Sequence, residues 1–179
     1  MPAPTILSVP SLDRWLESVR AAVDTARSPA GAAAAVQATL SRLLADTAGV
    51  ARVVDELRAE SRRRPARVLV EHVEPESPFT VQVFRWPPGW TTSIHDHVSW
   101  GVVAVLLGAE QEQLFRIDEQ GRPVPRSRRV VIAGECVSFV PPNDVHQVCA
   151  PEPTLSLHVY GADLSITGGS TRRRYPEGG

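Results

Sequence analysis

In a chain of 179 residues, 19 basic side chains stand against 20 acidic ones, and a formal net charge of -1 gives no electrostatic reason to expect nucleic acid or an anionic membrane as partner. All the basic residues are arginine, which excludes Schiff-base chemistry, lysine-anchored pyridoxal phosphate and the lysine of a phosphate-binding loop. Two cysteines make no disulfide framework in a chain this long, and no apolar run approaches the ~20 residues of a membrane helix. Met1-Pro2-Ala3-Pro4 also lacks the basic-then-apolar layout of a signal peptide. The expectation is a cytoplasmic protein in which Cys136 and Cys149 are reduced, and in which Arg62-Arg63-Arg64 and Arg172-Arg173-Arg174 are solvated faces or linkers.

Leu12, Trp15, Leu16, Val19, Ala22, Val23 and Ala26 recur at helical spacing and predict an amphipathic helix over 11–26, with Ser11 as N-cap. Ser28-Pro29 caps and opens a second helix to about Ala45, which buries Val36, Leu40, Leu43 and Leu44. A third, from about Val50 to Glu60, carries Val53, Val54 and Leu57. Pro65 ends the helical part, since it cannot continue the hydrogen-bond ladder. Residues 1–64 are therefore expected as a helical segment packed on the rest of the chain.

From Pro65 the pattern changes to short β-branched runs separated by Pro, Gly and acidic turns: 67–73, 79–86, 100–107, 111–117, 128–132, 136–140, 145–149 and 155–161. Such strands without intervening helices predict a mainly β jelly roll or barrel over 65–166, an architecture whose interior often holds a ligand. The Gly- and Arg-rich tail, 167–179, reads as loosely ordered.

All five histidines lie after Pro65, and four of them, His95, His97, His146 and His158, could carry chemistry. His95 and His97 follow a Pro-Pro-Gly turn and, two apart on a strand, point to one side while Asp96 faces away. His146, behind Pro141-Pro142-Asn143-Asp144-Val145, can bring a third imidazole to the same ion. No acid follows His97 closely, so this would be a three-histidine site with open positions, fit for iron, zinc, copper or nickel. Taken singly, each histidine is more simply a satisfied core or surface residue, and His72 is read as structural.

Ser156, His158 and Tyr160 share one face of a predicted strand, with Leu155, Leu157 and Val159 on the other. If the polar face is interior, the three must satisfy one another, and a relay Ser156 to His158 to Tyr160 does so. Arg67, after Pro65-Ala66, could hold a carboxylate through two hydrogen bonds.

Taken together these residues resemble the thiol dioxygenase branch of the cupin superfamily, and most closely cysteine dioxygenase of the bacterial type, over about Pro65 to Gly161. Trp86-Pro87-Pro88-Gly89, His95-Asp96-His97 and Trp100-Gly101 match one family motif; Ser156, His158 and Tyr160 match another. The resemblance implies a cupin jelly roll, an iron(II) ion held by His95, His97 and His146, a hydroxyl from Tyr160 near substrate and oxygen, and Arg67 as the carboxylate-binding arginine. It implies that both atoms of O2 are added to a small thiol, L-cysteine giving the sulfinate, with 3-mercaptopropionate as the alternative substrate. Two details depart from the pattern. Pro65 stands where members often have a tyrosine, and Gly101 or Val102 stands where animal enzymes have the cysteine that crosslinks to tyrosine. A non-catalytic metal- or ligand-binding cupin would need the histidines and not the Ser-His-Tyr strand; a zinc hydrolase would want a carboxylate base beside the pair.

Overall fold

The computed structural model describes residues 9–63 and 67–176. Three helices come first, α1 (Pro10–Asp24), α2 (Pro29–Leu44) and α3 (Thr47–Arg63). After them come β1 (Val68–Val73), β2 (Thr80–Trp86), β3 (Trp90–Thr91), β4 (Ile94–His97), β5 (Gly101–Leu107), β6 (Ala109–Ile117), β7 (Pro123–Ile132), β8 (Cys136–Phe139), β9 (His146–Ala150) and β10 (Thr154–Tyr160). A short helix α4 (Leu164–Thr167) and β11 (Thr171–Tyr175) close the described chain. The class is mainly β, with helices ahead of the strands, as expected.

The α2 start is the one the sequence predicts: Pro29 occupies the first turn and the Ser28 hydroxyl accepts from Gly31 N. For α1 the expectation is corrected. Val9 is the N-cap residue and Pro10 opens the helix, while Ser11 donates from Oγ to Glu56 Oε1 at 2.6 Å and from its backbone N to Glu56 Oε2 at 3.1 Å. Ser11 thus ties α1 to α3 instead of capping α1. The boundary expected at Pro65 lies outside the described residues.

The strands form two antiparallel sheets. One runs β1-β2-β10-β5-β8; the other runs β11-β4-β9-β6-β7, with β3 paired to β9. Against the first sheet lie the helices, and the apolar core sits between them: Val36, Leu40, Val53 and Leu57 meet Val81, Val83, Leu157 and Val159. Each of these is at most 1% exposed, and burying one such side chain contributes about 1.5–3 kcal/mol. The other face of this sheet looks across to the second sheet and, with it, encloses a cavity.

The tail departs from expectation. Thr171–Tyr175 is a paired edge strand, joined to β4 in the register Thr171↔His97, Arg173↔Asp96 and Arg174↔His95. A register shift between Thr171 and Arg173 leaves Arg172 extra. That irregularity lets Arg172 Nη2 donate to Asp96 Oδ2 at 2.5 Å, while Tyr175 donates to the same oxygen at 2.9 Å. A buried acid on β4 thereby recruits the Arg-rich segment, which is why it is not loose.

Candidate metal centre and its cavity

Strand alternation sends His95 and His97 into the cavity and Asp96 out of it, and β4 pairs with β9 through His95↔His146. One nitrogen from each of His95, His97 and His146 lies within 4.8 Å of the others. His97 and His146 are buried and His95 partly so.

The outer partners settle which nitrogens face inward. His95 Nδ1 lies 2.9 Å from the Ser93 carbonyl, His97 Nδ1 3.0 Å from Asp144 Oδ2, and His146 Nδ1 3.4 Å from Glu112 Oε2. A carbonyl and two carboxylates only accept, so each Nδ1 carries the hydrogen and each Nε2 keeps its lone pair. Three Nε2 atoms with oriented rings are what a metal ion requires, and the residues fit one. Burial, helped by the neighbouring His146 and His97, lowers the His95 pKa to about 3. For His97 burial also lowers the pKa, against the opposing bond to Asp144. Both are therefore neutral imidazoles at ordinary pH, the form that ligates.

Two carboxylates distant in sequence stand behind the cluster. Asp144 and Glu112 do not face the cluster as ligands, but they are buried behind it and bring negative charge to two of its three imidazoles. Burial raises the Glu112 pKa, yet its bonds to His146 and to Arg129, whose Nη2 is 2.7 Å away, outweigh this and hold it below the ordinary range. Asp96 behaves likewise: burial is overcome by Arg172 and Tyr175.

On β10, Ser156, His158 and Tyr160 face the interior, and Leu155, Leu157 and Val159 face the helices. Trp86 Nε1 donates to Ser156 Oγ at 2.8 Å, Ser156 Oγ lies 2.8 Å from His158 Nε2, and His158 Nδ1 lies 3.0 Å from the Tyr160 hydroxyl. Ser156 stands behind His158; His158 and Tyr160 line the cavity. Burial pushes the Tyr160 phenol far above its ordinary pKa, with the Glu110 charge adding to it and a bond from Ser170 opposing it. Tyr160 is a hydroxyl here, not a phenolate.

The cavity measures about 370 Å³. Arg67 stands exposed on its rim with the guanidinium stacked 3.4 Å from the Trp90 ring centroid, an arrangement that fixes the plane of the fork. Arg174, set opposite His95 by register, lines the same wall. So does Glu110, wholly buried and with neither oxygen hydrogen-bonded among the described residues. Arg172 and Arg174 are exposed, in keeping with the solvated face or linker read from the sequence, while Glu110, Glu112, Asp144 and Trp90 were passed over. Glu110 and Glu112 did leave a signal, two acids at period two beside an apolar strand, which fits a solvent face equally well.

Gly101 pairs with Tyr160, and a Cβ there would fall 2.2 Å from the Phe139 ring, which itself stacks on His97 at 4.1 Å between centroids. Phe139 therefore fills the space a side chain at position 101 would take beside Tyr160. His72, expected as structural, meets Glu74 at 3.3 Å and does not line the cavity. Cys136 and Cys149 are free thiols. No helix among the described residues is long and apolar enough to cross a membrane.

No protein-family model matches the chain. Among solved structures it is similar to an oxalate decarboxylase mutant from Bacillus subtilis, at 19% identity over 55% of this chain and 25% of that one, with a TM-score of 0.43. A conserved protein of unknown function from Streptococcus pyogenes matches at 19% identity over 54% of this chain and 71% of that chain, TM-score 0.40. A cupin superfamily protein from Desulfitobacterium hafniense matches at 10% identity over 52% and 77%, TM-score 0.41. The match spans only 22% and 25% of the two oxalate decarboxylase chains that head the similar structures.

Proposed function

We propose that this chain is an iron(II)-dependent thiol dioxygenase that adds O2 to a small carboxylated thiol, with L-cysteine giving cysteine sulfinate as the leading reaction. One observation carries the reading. Three inward Nε2 atoms without a coordinating carboxylate, the Tyr160 hydroxyl at the end of the Ser156–His158 chain, and the Arg67 fork all meet one small cavity.

His95, His97 and His146 would hold the ion. Iron(II) bound there would supply the charge that keeps a substrate sulfur ionised and the redox centre that O2 chemistry needs. Arg67, over the Trp90 ring, would take a carboxylate through two parallel hydrogen bonds. Tyr160, protonated and buried, orients a polar group of the substrate. Phe84, Trp86 and Phe139 contribute apolar surface to the wall. In the overall balance sulfur loses four electrons and both oxygen atoms end on it, so no external reductant is consumed. 3-Mercaptopropionate keeps the carboxylate for Arg67 and is the alternative substrate. We place the protein in the cytoplasm, where its substrate and its own thiols stay reduced.

Protein loaded with iron(II) should consume O2 in the presence of L-cysteine or 3-mercaptopropionate and release a sulfinate, measured by oxygen electrode and mass spectrometry. Iron binding without O2 uptake on any member of a thiol panel would sink the reading and leave a non-catalytic metal- or ligand-binding cupin.

A further inference from the structure

Glu110 is a buried group that the proposed reaction leaves without a task. It is 0% exposed, both its oxygens lack a hydrogen-bond partner among the described residues, and it lines the cavity. A carboxylate taken out of water is costly unless a positive or hydrogen-bearing group meets it. His158 is that group: its Nε2 lies 3.5 Å from Glu110 Oε1.

Two tautomers of His158 are compatible with the contact to Tyr160. With the hydrogen on Nδ1, the imidazole donates to the phenol oxygen; with the hydrogen on Nε2, Nδ1 accepts from the phenol. Ser156 does not choose between them. Its oxygen accepts from Trp86 and still has one hydrogen and one lone pair to offer Nε2. Glu110 does choose, because a lone pair on Nε2 would confront an anionic oxygen, whereas a hydrogen there is attracted to it.

We propose that Glu110 is a positioning residue: it holds the His158 hydrogen on Nε2, so that Nδ1 accepts the Tyr160 hydroxyl hydrogen and the phenol oxygen turns a lone pair, not a hydrogen, to the cavity. Such an oxygen favours ligand groups that donate a hydrogen bond, an amine or a thiol, over groups that only accept. This consequence for substrate choice rests on the thiol-oxidising reading; the tautomer does not.

Nitrogen-15 NMR of the imidazoles in the metal-free, full-length protein reads the tautomer directly, with H158Q identifying the His158 signals. The wild-type protein should carry the hydrogen on Nε2, E110L should move it wholly or partly to Nδ1, and E110D, which keeps the charge, should restore it. In thiol-dependent O2 uptake E110L should lose about tenfold or more in kcat/KM, and E110D should recover much of it. A hydrogen on Nδ1 in the wild-type protein, or one that stays wholly on Nε2 in E110L, overturns the proposal. If E110L fails to fold, E110Q, which removes the charge and keeps the size, takes its place, and a hydrogen that stays wholly on Nε2 there overturns the proposal equally. The expected tautomer in a protein that oxidises no thiol would leave the Glu110 assignment standing and end the dioxygenase reading.

Discussion

The two faces of β10 share one backbone and are equally buried, yet they do opposite work. Leu155, Leu157 and Val159, at 4%, 1% and 0% exposure, pack beneath the helices; Ser156, His158 and Tyr160, at 0%, 6% and 4%, face the cavity. Exposure does not tell the faces apart. What does is the neighbourhood each side chain meets: apolar helix residues on one side, and on the other a chain of partners from Trp86 to Tyr160 that satisfies each polar atom in turn. A polar face can be as buried as a core face provided its hydrogen bonds close on themselves.

The contrast can be broken from either side. Removing a ligand should have the largest effect: H146A should weaken binding of iron(II) or zinc by more than about 100-fold, since losing even an outer-shell partner costs 10- to 100-fold. Calorimetric titration measures this, and a cooperative urea transition should persist. L157A should do the converse. It opens a cavity under the helices and costs about 2–5 kcal/mol in the urea midpoint, with metal stoichiometry of the folded protein unchanged. At the rim, R67A should raise KM for carboxylated thiols about 10- to 100-fold, from the loss of a charge-assisted bond of roughly 1.5–3 kcal/mol, and leave cysteamine untouched. Equal effects on both thiols would remove Arg67 from the substrate site.

The smallest effect concerns pH. Burial disfavours the phenolate at Tyr160 and, with Asp96 bonded to it, at Tyr175, so both pKa values are raised. Near-ultraviolet absorbance at pH 10, where an ordinary phenol is half ionised, should show little phenolate in the folded protein. The unfolded chain ionises there and the folded one does not. The stability linked to these groups is therefore present below about pH 10 and is lost as pH rises beyond it.

Much of this is legible in residue order. The helical stripes, the Ser28-Pro29 start, the change to strands after Pro65, the convergence of His95 and His97 and the division of β10 into two faces all arise from short-range periodicity and turn chemistry. The misses share one cause. Ser11 reads as a cap because its partner, Glu56, lies 45 residues away. The tail reads as loose because the acid that orders it sits on β4, beyond any local window.

By itself, then, the sequence determined which residues face together along each strand, because that depends on a two-residue repeat and on nothing distant. Only the tertiary structure decided which groups meet across strands. It set Asp144 behind His97, 47 residues apart, and Glu112 behind His146, 34 apart. It also slid β10 between β2 and β5 and put Glu110 beside His158. Register between distant strands is fixed by the packing of the whole sheet, and no local pattern encodes it.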